Sequence, residues 1–339
     1  MSIRVLLKDI ASFSKGEQIN GEDLIQDGTY PYLNGGIQPS GRWSDCNTPE
    51  NTITISEGGN SCGYVNLVTE PFWCGAHCYY LYDLRVDVQY LYYALKSQQA
   101  RLMGIRSGAC MPNIKKNALG CFELTIHTEN VDQKQIVEQL QLCQSLIEQR
   151  QRQLRALDTL IKARFVEMFG NPIFNEKGFE TKPGSDIFNL SNGKFVPESK
   201  RFEDGIPVYG GNGVSWYTDE VLFENDTIVV GRVGFQSGNV HLVKGPLWIS
   251  DNAMYVSNLF DDGFDLRFLY FVMEHIDFTR FQDAGDLRKI TQKPFMVMRY
   301  IMPPLRMQLD YISFVAQIDK SKLSSDIVQR ISDMQYNVH

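Results

Sequence analysis

A chain of 339 residues with 43% apolar side chains is long enough for two folded domains and a connector. No run approaches the apolar length of a membrane span, and MSIRVLLKDIASFSKGEQIN meets acidic and lysine residues too early for a secretory signal, so a cytoplasmic protein without a membrane partner is expected. The net charge of −7 gives no global sign of a nucleic-acid partner, so a DNA binder with this balance must gather its Lys and Arg on one face.

In chain order, residues 1–130 open with Lys8-Asp9-Ile10 and a Lys15-Gly16 turn, followed by the extended Tyr30-Pro31-Tyr32-Leu33 and the loop Asn34-Gly35-Gly36. Asn51–Ser56 alternates polar and apolar residues like a strand, and Glu57-Gly58-Gly59-Asn60 turns it. Gly63–Val68 predicts a second strand, leading to Pro71-Phe72-Trp73, and His77–Tyr82 a third. Tyr90–Leu95 reads as helix, Ser107-Gly108 opens a loop to Asn113–Lys116, and Cys121–Ile126 closes the region as a strand.

Residues 131–169 contain no glycine or proline. Their apolar residues recur at spacings of four and three through Ile136, Leu140, Cys143, Ile147, Leu154, Leu157, Ile161 and Met168, with Arg150 and Arg164 as the interruptions. A period near 3.5 sustained this long predicts a coiled-coil helix of about 58 Å. Gly170-Asn171-Pro172 supplies its stop.

From residue 173 the first pattern returns. Ile206-Pro207-Val208-Tyr209-Gly210-Gly211-Asn212 echoes Tyr30–Gly36, Asp226–Gly231 echoes Asn51–Ser56, and Gly238-Asn239-Val240 echoes Gly63-Tyr64-Val65. Pro246-Leu247-Trp248 echoes Pro71-Phe72-Trp73, Phe268–Met273 echoes Tyr90–Leu95, and Lys289–Lys293 echoes Asn113–Asn117. The order is kept and the offsets stay within 175–178. A period this long excludes a solenoid and marks duplication of a whole module. Gln308–Met334, with Tyr311, Val315, Ile318, Leu323, Ile327 and Ile331 at roughly helical spacing, echoes the first long helix and ends sooner. The expected fold is therefore α+β: two similar mixed α/β domains, 1–130 and 173–305, with an internal pseudo-two-fold repeat. They would be separated by two long antiparallel coiled-coil helices, within 131–172 and 306–339.

Catalytic signatures are lacking. The five histidines stand in no nucleophile–base setting, and Asn252 replaces His77 in the second copy. Neither a phosphate-binding GxxxxGK[ST] loop nor a strand–GxGxxG–helix unit occurs, so no cofactor is expected. Asn171-Pro172-Ile173-Phe174 is similar to the Asn-Pro-Pro-Phe/Tyr loop of adenine methyltransferases but lacks the second proline, and the helix stop already accounts for it. All seven cysteines precede residue 144, an odd and lopsided set that suits reduced thiols. Cys74-Gly75-Ala76-His77-Cys78 lacks the two regularly spaced pairs of a zinc site and reads as buried thiols, with no metal expected.

The remaining chemistry lies in loops whose residue types suit base edges and phosphates. In the first module these are Asn34, Gly35, Gly36, Arg42, Trp43, Asn60, Ser61, Arg106, Lys115 and Lys116. In the second they are Gly210, Gly211, Asn212, Trp216, Tyr217, Arg232, Gln236, Ser237, Arg288, Lys289 and Lys293. Arg fits guanine edges, Asn and Gln fit adenine edges, and glycines let backbone N–H groups reach phosphates. Each also has an ordinary reading, since Gly, Asn and Ser form turns anywhere and either tryptophan can be core.

Domain–helix–domain–helix, with Tyr-Pro-x-x-x-Gly-Gly and Ile-Pro-x-x-Gly-Gly segments and Lys162–Pro172 ending the first helix, resembles the specificity subunit of type I restriction–modification systems. The resemblance spans essentially the whole chain. It implies two target-recognition domains, each reading half of a bipartite site in double-stranded DNA. The helices would set the half-site spacing and dock two modification (methyltransferase) subunits, and restriction subunits would add ATP-driven translocation and cleavage. It also implies that this chain itself is non-catalytic. Two other readings are a self-contained DNA methyltransferase or nuclease, which S-adenosylmethionine binding by the isolated chain would favour, and a coiled-coil protein adaptor, which absence of specific DNA binding would favour.

Overall fold

The computed structural model describes residues 2–108, 112–260, 262–283, 285 and 288–336, with 323–336 described by helical backbone. Two compact units divide the chain, one built on residues up to 149 together with those from 332 on, and one on 150–331.

The first contains β1 (Ser2–Leu6), α1 (Leu7–Ile10), β2 (Ser12–Lys15), β3 (Tyr30–Leu33), β4 (Gly41–Trp43), β5 (Thr52–Ser56), β6 (Val65–Val68), β7 (Trp73–Cys74) and β8 (Cys78–Tyr82). There follow α2 (Val88–Ser97), α3 (Gln99–Gly104), α4 (Lys116–Gly120), β9 (Glu123–His127) and the long helix α5 (Asn130–Phe169), whose second half belongs to the other unit. The second unit repeats the series with β10 (Thr181–Pro183), α6 (Gly184–Ile187), β11 (Phe188–Asn192), β12 (Ile206–Gly210), β13 (Gly213–Thr218), β14 (Thr227–Gly231), β15 (Val240–Val243), β16 (Trp248–Ile249) and β17 (Ala253–Leu259). It continues with α7 (Leu266–Glu274), a 3₁₀ turn at Phe278–Phe281 in the place of α3, α8 (Lys293–Val297), β18 (Arg299–Ile301) and α9 (Leu305–Tyr336).

The sheets correspond one to one. The order β2-β8-β5-β6 becomes β11-β17-β14-β15, β4-β3-β7 becomes β13-β12-β16, and β1-β9 becomes β10-β18. In each three-stranded sheet the last pair is parallel and the first antiparallel. The duplication expected from spaced sequence echoes is thus a duplication of topology.

Each module is built around its inner strand. All five residues of β5 and of β14 are buried, which their β-branched composition suits. Two of the threonines that this burial encloses find backbone acceptors: Thr52 Oγ1 donates to Pro49 O at 2.8 Å and Thr227 Oγ1 to Val256 O at 2.7 Å. An amphipathic helix packs against each sheet, burying Leu91 and Leu95 of α2, and Phe268, Leu269, Val272 and Met273 of α7. Asp87 caps α2 by accepting from the N–H groups of Gln89 and Tyr90, and Asp265 caps α7 by accepting from Arg267.

Two glutamines then tie each long helix to its own module. Gln133, in the first turn of α5, is buried; its Oε1 accepts from Asp87 N at 3.2 Å and its Nε2 donates to His127 O at 2.7 Å. Gln308 of α9 stands 175 positions later with no exposed surface, accepting from Asp265 N at 3.0 Å and donating to Gly263 O and Pro303 O at 2.8 Å each.

α5 carries two kinds of apolar residue. The seam residues Ile136, Leu140, Ile147, Leu154, Leu157 and Ile161 are half-buried and Cys143 is exposed, while full burial falls off the seam on Val137, Phe165 and Phe169. Val137 enters the core of the first unit, and Phe165 and Phe169 that of the second. For that reason the boundary between units falls inside the helix rather than at its ends. Gly170 ends it at φ +70°, and Asn171 Oδ1 accepts from Ile173 N at 2.9 Å, so Gly-Asn-Pro is a helix stop whose asparagine is satisfied locally.

Within the second unit α9 runs antiparallel to this half of α5. Tyr311 packs edge-on against Phe165 and Phe169 and donates its hydroxyl to Ile161 O at 3.2 Å, and farther along Lys322 pairs with Asp158 at 2.7 Å. Val315 and Ile318 are buried, and the side chains of Leu323 and Ile327 lie outside the described residues.

Candidate nucleic-acid interface

In each module the loops at one end of the inner strand are bound to one another. In the first, Ser56 Oγ donates to Gly35 O, and so does Ser61 Oγ at 2.7 Å. His77 N donates to Asn34 Oδ1 at 3.1 Å, Gly59 N to Pro112 O at 3.0 Å and Ile114 N to Glu57 O at 2.8 Å. Gly58 and Ser107 both pair with Asn113. Gly35 has φ +81°, and a Cβ there would meet His77 O at 2.4 Å, so this close approach needs glycine. Four loops, around 34–36, 57–61, 75–77 and 106–108 with 112–115, therefore form one surface.

The second module assembles the same surface from the corresponding loops. Arg232 N donates to Asn252 O at 2.9 Å, Ile290 N to Arg232 O at 3.0 Å and Gly234 N to Arg288 O at 2.8 Å. Val233 pairs with Lys289, and Gln282 Nε2 donates to Ser237 O at 2.6 Å. The Cα of Gly231 lies 3.1 Å from where a Cβ of Gly211 would stand.

Most of the candidates chosen from the sequence meet on these two surfaces. Asn34, Gly35, Gly36, Asn60 and Ser61 lie on the joined loops, with exposed Arg106, Lys115 and Lys116 beside them. Burial pushes the Cys62 thiol up and the nearby Arg106 charge partly offsets this, which places Arg106 at the same loop. Gly210, Gly211, Asn212, Arg232, Gln236, Arg288, Lys289 and Lys293 occupy the corresponding places in the second module, with Asn212, Arg288, Lys289 and Lys293 exposed.

Five candidates stand differently. Arg42, on β4, spends its guanidinium on Gly28 O and Thr29 O. Trp43 packs edge-on against Trp73. Trp216 lies under the Arg201 guanidinium with its indole N–H buried, and Tyr217 is held in strand pairing with Pro207 and Phe202. Ser237 is fully buried, so it supports the loop from inside instead of presenting its hydroxyl.

The Cys-His-Cys segment separates into two environments. Cys74 and Cys78 are buried, and the hydrogen bond with Cys78, together with burial, pushes the Cys74 thiol up. His77 is exposed, with Nδ1 3.3 Å from Glu57 Oε2. Among the described residues no group of three or more His, Cys, Asp or Glu could hold a metal ion.

Comparison with known proteins relates the first module to a described family. Residues 4–156 match the family model described as the type I restriction modification DNA specificity domain. Chains named as type I specificity subunits from Mycoplasma pneumoniae and Mycoplasma genitalium are each 29% identical over 309 residues, covering 86% of this chain and 80% and 79% of their own. The first module carries a type I restriction modification DNA specificity domain. The crystal structure of the type I restriction–modification system S subunit from M. genitalium shares the chain's fold, with a TM-score of 0.70 and 23% identity over 99% of this chain and 95% of that one. The matched segment ends inside α5, and the second module repeats the first strand for strand.

Several residues on the two loop surfaces carry no signal of their own in the sequence. Glu57 and His77 lie at the centre of the first, Asn252 faces the corresponding place in the second, and Phe235, 77% exposed beneath the Arg288 guanidinium, tops the β14–β15 loop. Aligning the two copies residue by residue exposes them, because Glu57 falls on Arg232 and Asn60 on Phe235.

Proposed function

We propose that the two modules, residues 1–130 and 173–305, each read one half of a bipartite site in double-stranded DNA through the loop surfaces described above. The helices within 131–172 and 306–339 set the spacing and dock two modification subunits. Specificity subunits of this family are non-catalytic, so adenine-N6 methylation belongs to those partners and ATP-dependent translocation and cleavage to restriction subunits. The chain itself needs no cofactor for this role, and the place of work is the cytoplasm, where the DNA is. No helix among the described residues is long and apolar enough to cross a membrane.

One observation supports the reading most: the same topology, occurring twice, gathers polar and basic loops at the same end of the inner strand. Two readers with different loop chemistry suit two different half-sites. Forty residues of continuous helix in α5 rise about 60 Å, enough to hold two readers on half-sites about one or two DNA turns of roughly 34–36 Å apart. The balance of 10 basic to 13 acidic residues in 1–130, and 13 to 18 in 173–305, leaves phosphate binding to locally gathered cations and to partner subunits that help enclose the DNA.

The test is co-expression with the modification subunit, followed by genome-wide mapping of methylated adenines. A single motif made of two short specified blocks and a gap of fixed length is the expected result. A contiguous motif, or methylation without sequence preference, refutes the proposal.

A further inference from the structure

Glu57 and Arg232 occupy one structural position. Each follows directly on the inner strand, donates its N–H to the opposing loop residue (His77 O or Asn252 O, both at 2.9 Å), and accepts from the N–H of an isoleucine (Ile114 or Ile290). The flanking positions correspond as well. Lys15 pairs in register with Tyr79 as Asn192 does with Met254, at the same end of the same strand pair. One module therefore presents Lys15–Glu57–His77 and the other Asn192–Arg232–Asn252.

The chemistry is inverted between them. The Glu57 carboxylate, 15% exposed, takes Lys15 Nζ on one oxygen and His77 Nδ1 on the other. A carboxylate offers about four lone-pair sites, so it still has room to accept from a ligand. Arg232 donates Nη1 to Asp251 O at 3.4 Å and lines a recess with Asn192, Gln292 and Lys293, leaving most of its guanidinium donors for a ligand. A structural ion pair does not explain the arrangement, because the same position holds a carboxylate in one module and a guanidinium in the other.

We propose that this position is a base-selecting position in both modules, read with opposite polarity. Arg232 takes a guanine through its O6 and N7 acceptors. Glu57 takes a base that presents an amino group, cytosine N4 or adenine N6, and repels the acceptor edge of guanine. Lys15 and His77 hold the carboxylate in place, and Asn192 shares the recess that Arg232 lines. The proposal rests on the reading that each module binds half of a DNA site.

The test uses the full chain in complex with its modification subunit, on a plasmid library with both half-sites randomised, and reads methylated adenines by sequencing. For Arg232→Gln the preference for guanine at one position of one half-site falls by roughly 5–150-fold, the worth of one bidentate contact, while the other half-site keeps its sequence. For Glu57→Gln the preference for cytosine or adenine at one position of the other half-site falls in the same way, and Glu57→Arg moves that position toward guanine. Arg232→Lys separates contact from charge, because it keeps the cation and loses the two-pronged fit. Unchanged base preferences in these variants overturn the proposal. So does a loss of methylation equal across all sequences in Arg232→Gln and Arg232→Lys alike, which marks a phosphate contact or a folding role. If the unaltered complex itself shows no two-block motif, the reading of the modules fails instead.

Discussion

Replacing Gln308 by leucine tests whether a buried side chain fixes α9 to the second module. Leucine nearly matches the volume of glutamine but strands three groups: the N–H of Asp265, which starts α7, and the carbonyls of Gly263 and Pro303. The bond to Pro303 is fully buried and the other two are partly so. Leaving a buried polar group unmade costs about 1–3 kcal/mol, and water relieves part of it where the site is open. The expected loss is about 2–4 kcal/mol, which for a unit of this size lowers its melting midpoint by roughly 5–15 °C. The assay is calorimetry on the full chain, resolving the two units where their transitions separate. Gln317→Leu, at an exposed position on the same helix, is the control and shifts the midpoint little. Equal midpoints for Gln308→Leu and Gln317→Leu would refute the reasoning. Gln133→Leu, with two bonds at stake instead of three, produces the smaller loss in the first unit.

Gly63 holds φ +87°, and a Cβ there would meet the backbone of Met103 at 2.9 Å, so Gly63→Ala costs more than the ~1 kcal/mol typical of a point substitution in urea unfolding, whereas Gly21→Ala, with open space around it, does not. Burial pushes the Asp265 carboxyl up, but hydrogen bonds from Arg267 outweigh this and hold it below its ordinary value. A carboxylate with a lowered folded pKa stabilises fully above its unfolded value near 4, and loses that contribution as pH falls through the folded value. The stability gap between the natural chain and Asp265→Asn therefore narrows on acidification below about pH 4, and a gap that widens there contradicts the assignment. Replacing exposed Lys293 by alanine weakens DNA binding by the complex about evenly across sequences and lowers the slope of log affinity against log salt by roughly one; a change confined to one sequence would instead mark Lys293 as a base contact.

The large-scale architecture was legible because duplication leaves the same punctuation twice. Pro31 and Pro207, Trp73 and Trp248, and the glycine pairs mark strand ends that sequence spacing alone brings into order, and the fold repeats them element for element. The long helix was legible for a different reason: 40 residues without glycine or proline have little alternative. What the seam does was less visible. Its residues are half-buried, while Val137, Phe165 and Phe169 hold the helix to its two modules, because contacts at the helix ends follow the surfaces of the domains and not the heptad.

Polar residues were the harder part. Gln133 and Gln308 look like solvent-facing helix residues until the carbonyls and N–H groups around them are seen. Ser237 looks like a loop-tip hydroxyl yet lies inside its loop. Glu57 escaped because an acidic residue is an unlikely choice for contact with an anionic polymer, and its place became apparent from Arg232 in the second copy. Side-chain type suggests candidates, but only backbone geometry tells which of them a turn presents.

The central claim is that one chain carries two separate readers joined by a helical spacer. The most direct measurement inserts four residues, about one helical turn or 6 Å of rise, into the exposed middle of α5 near Leu146. Adenine methylation by the complex is then mapped across a genome. The account predicts the same two half-site sequences with a longer gap between them. Altered half-site sequences, or an unchanged gap, would contradict it.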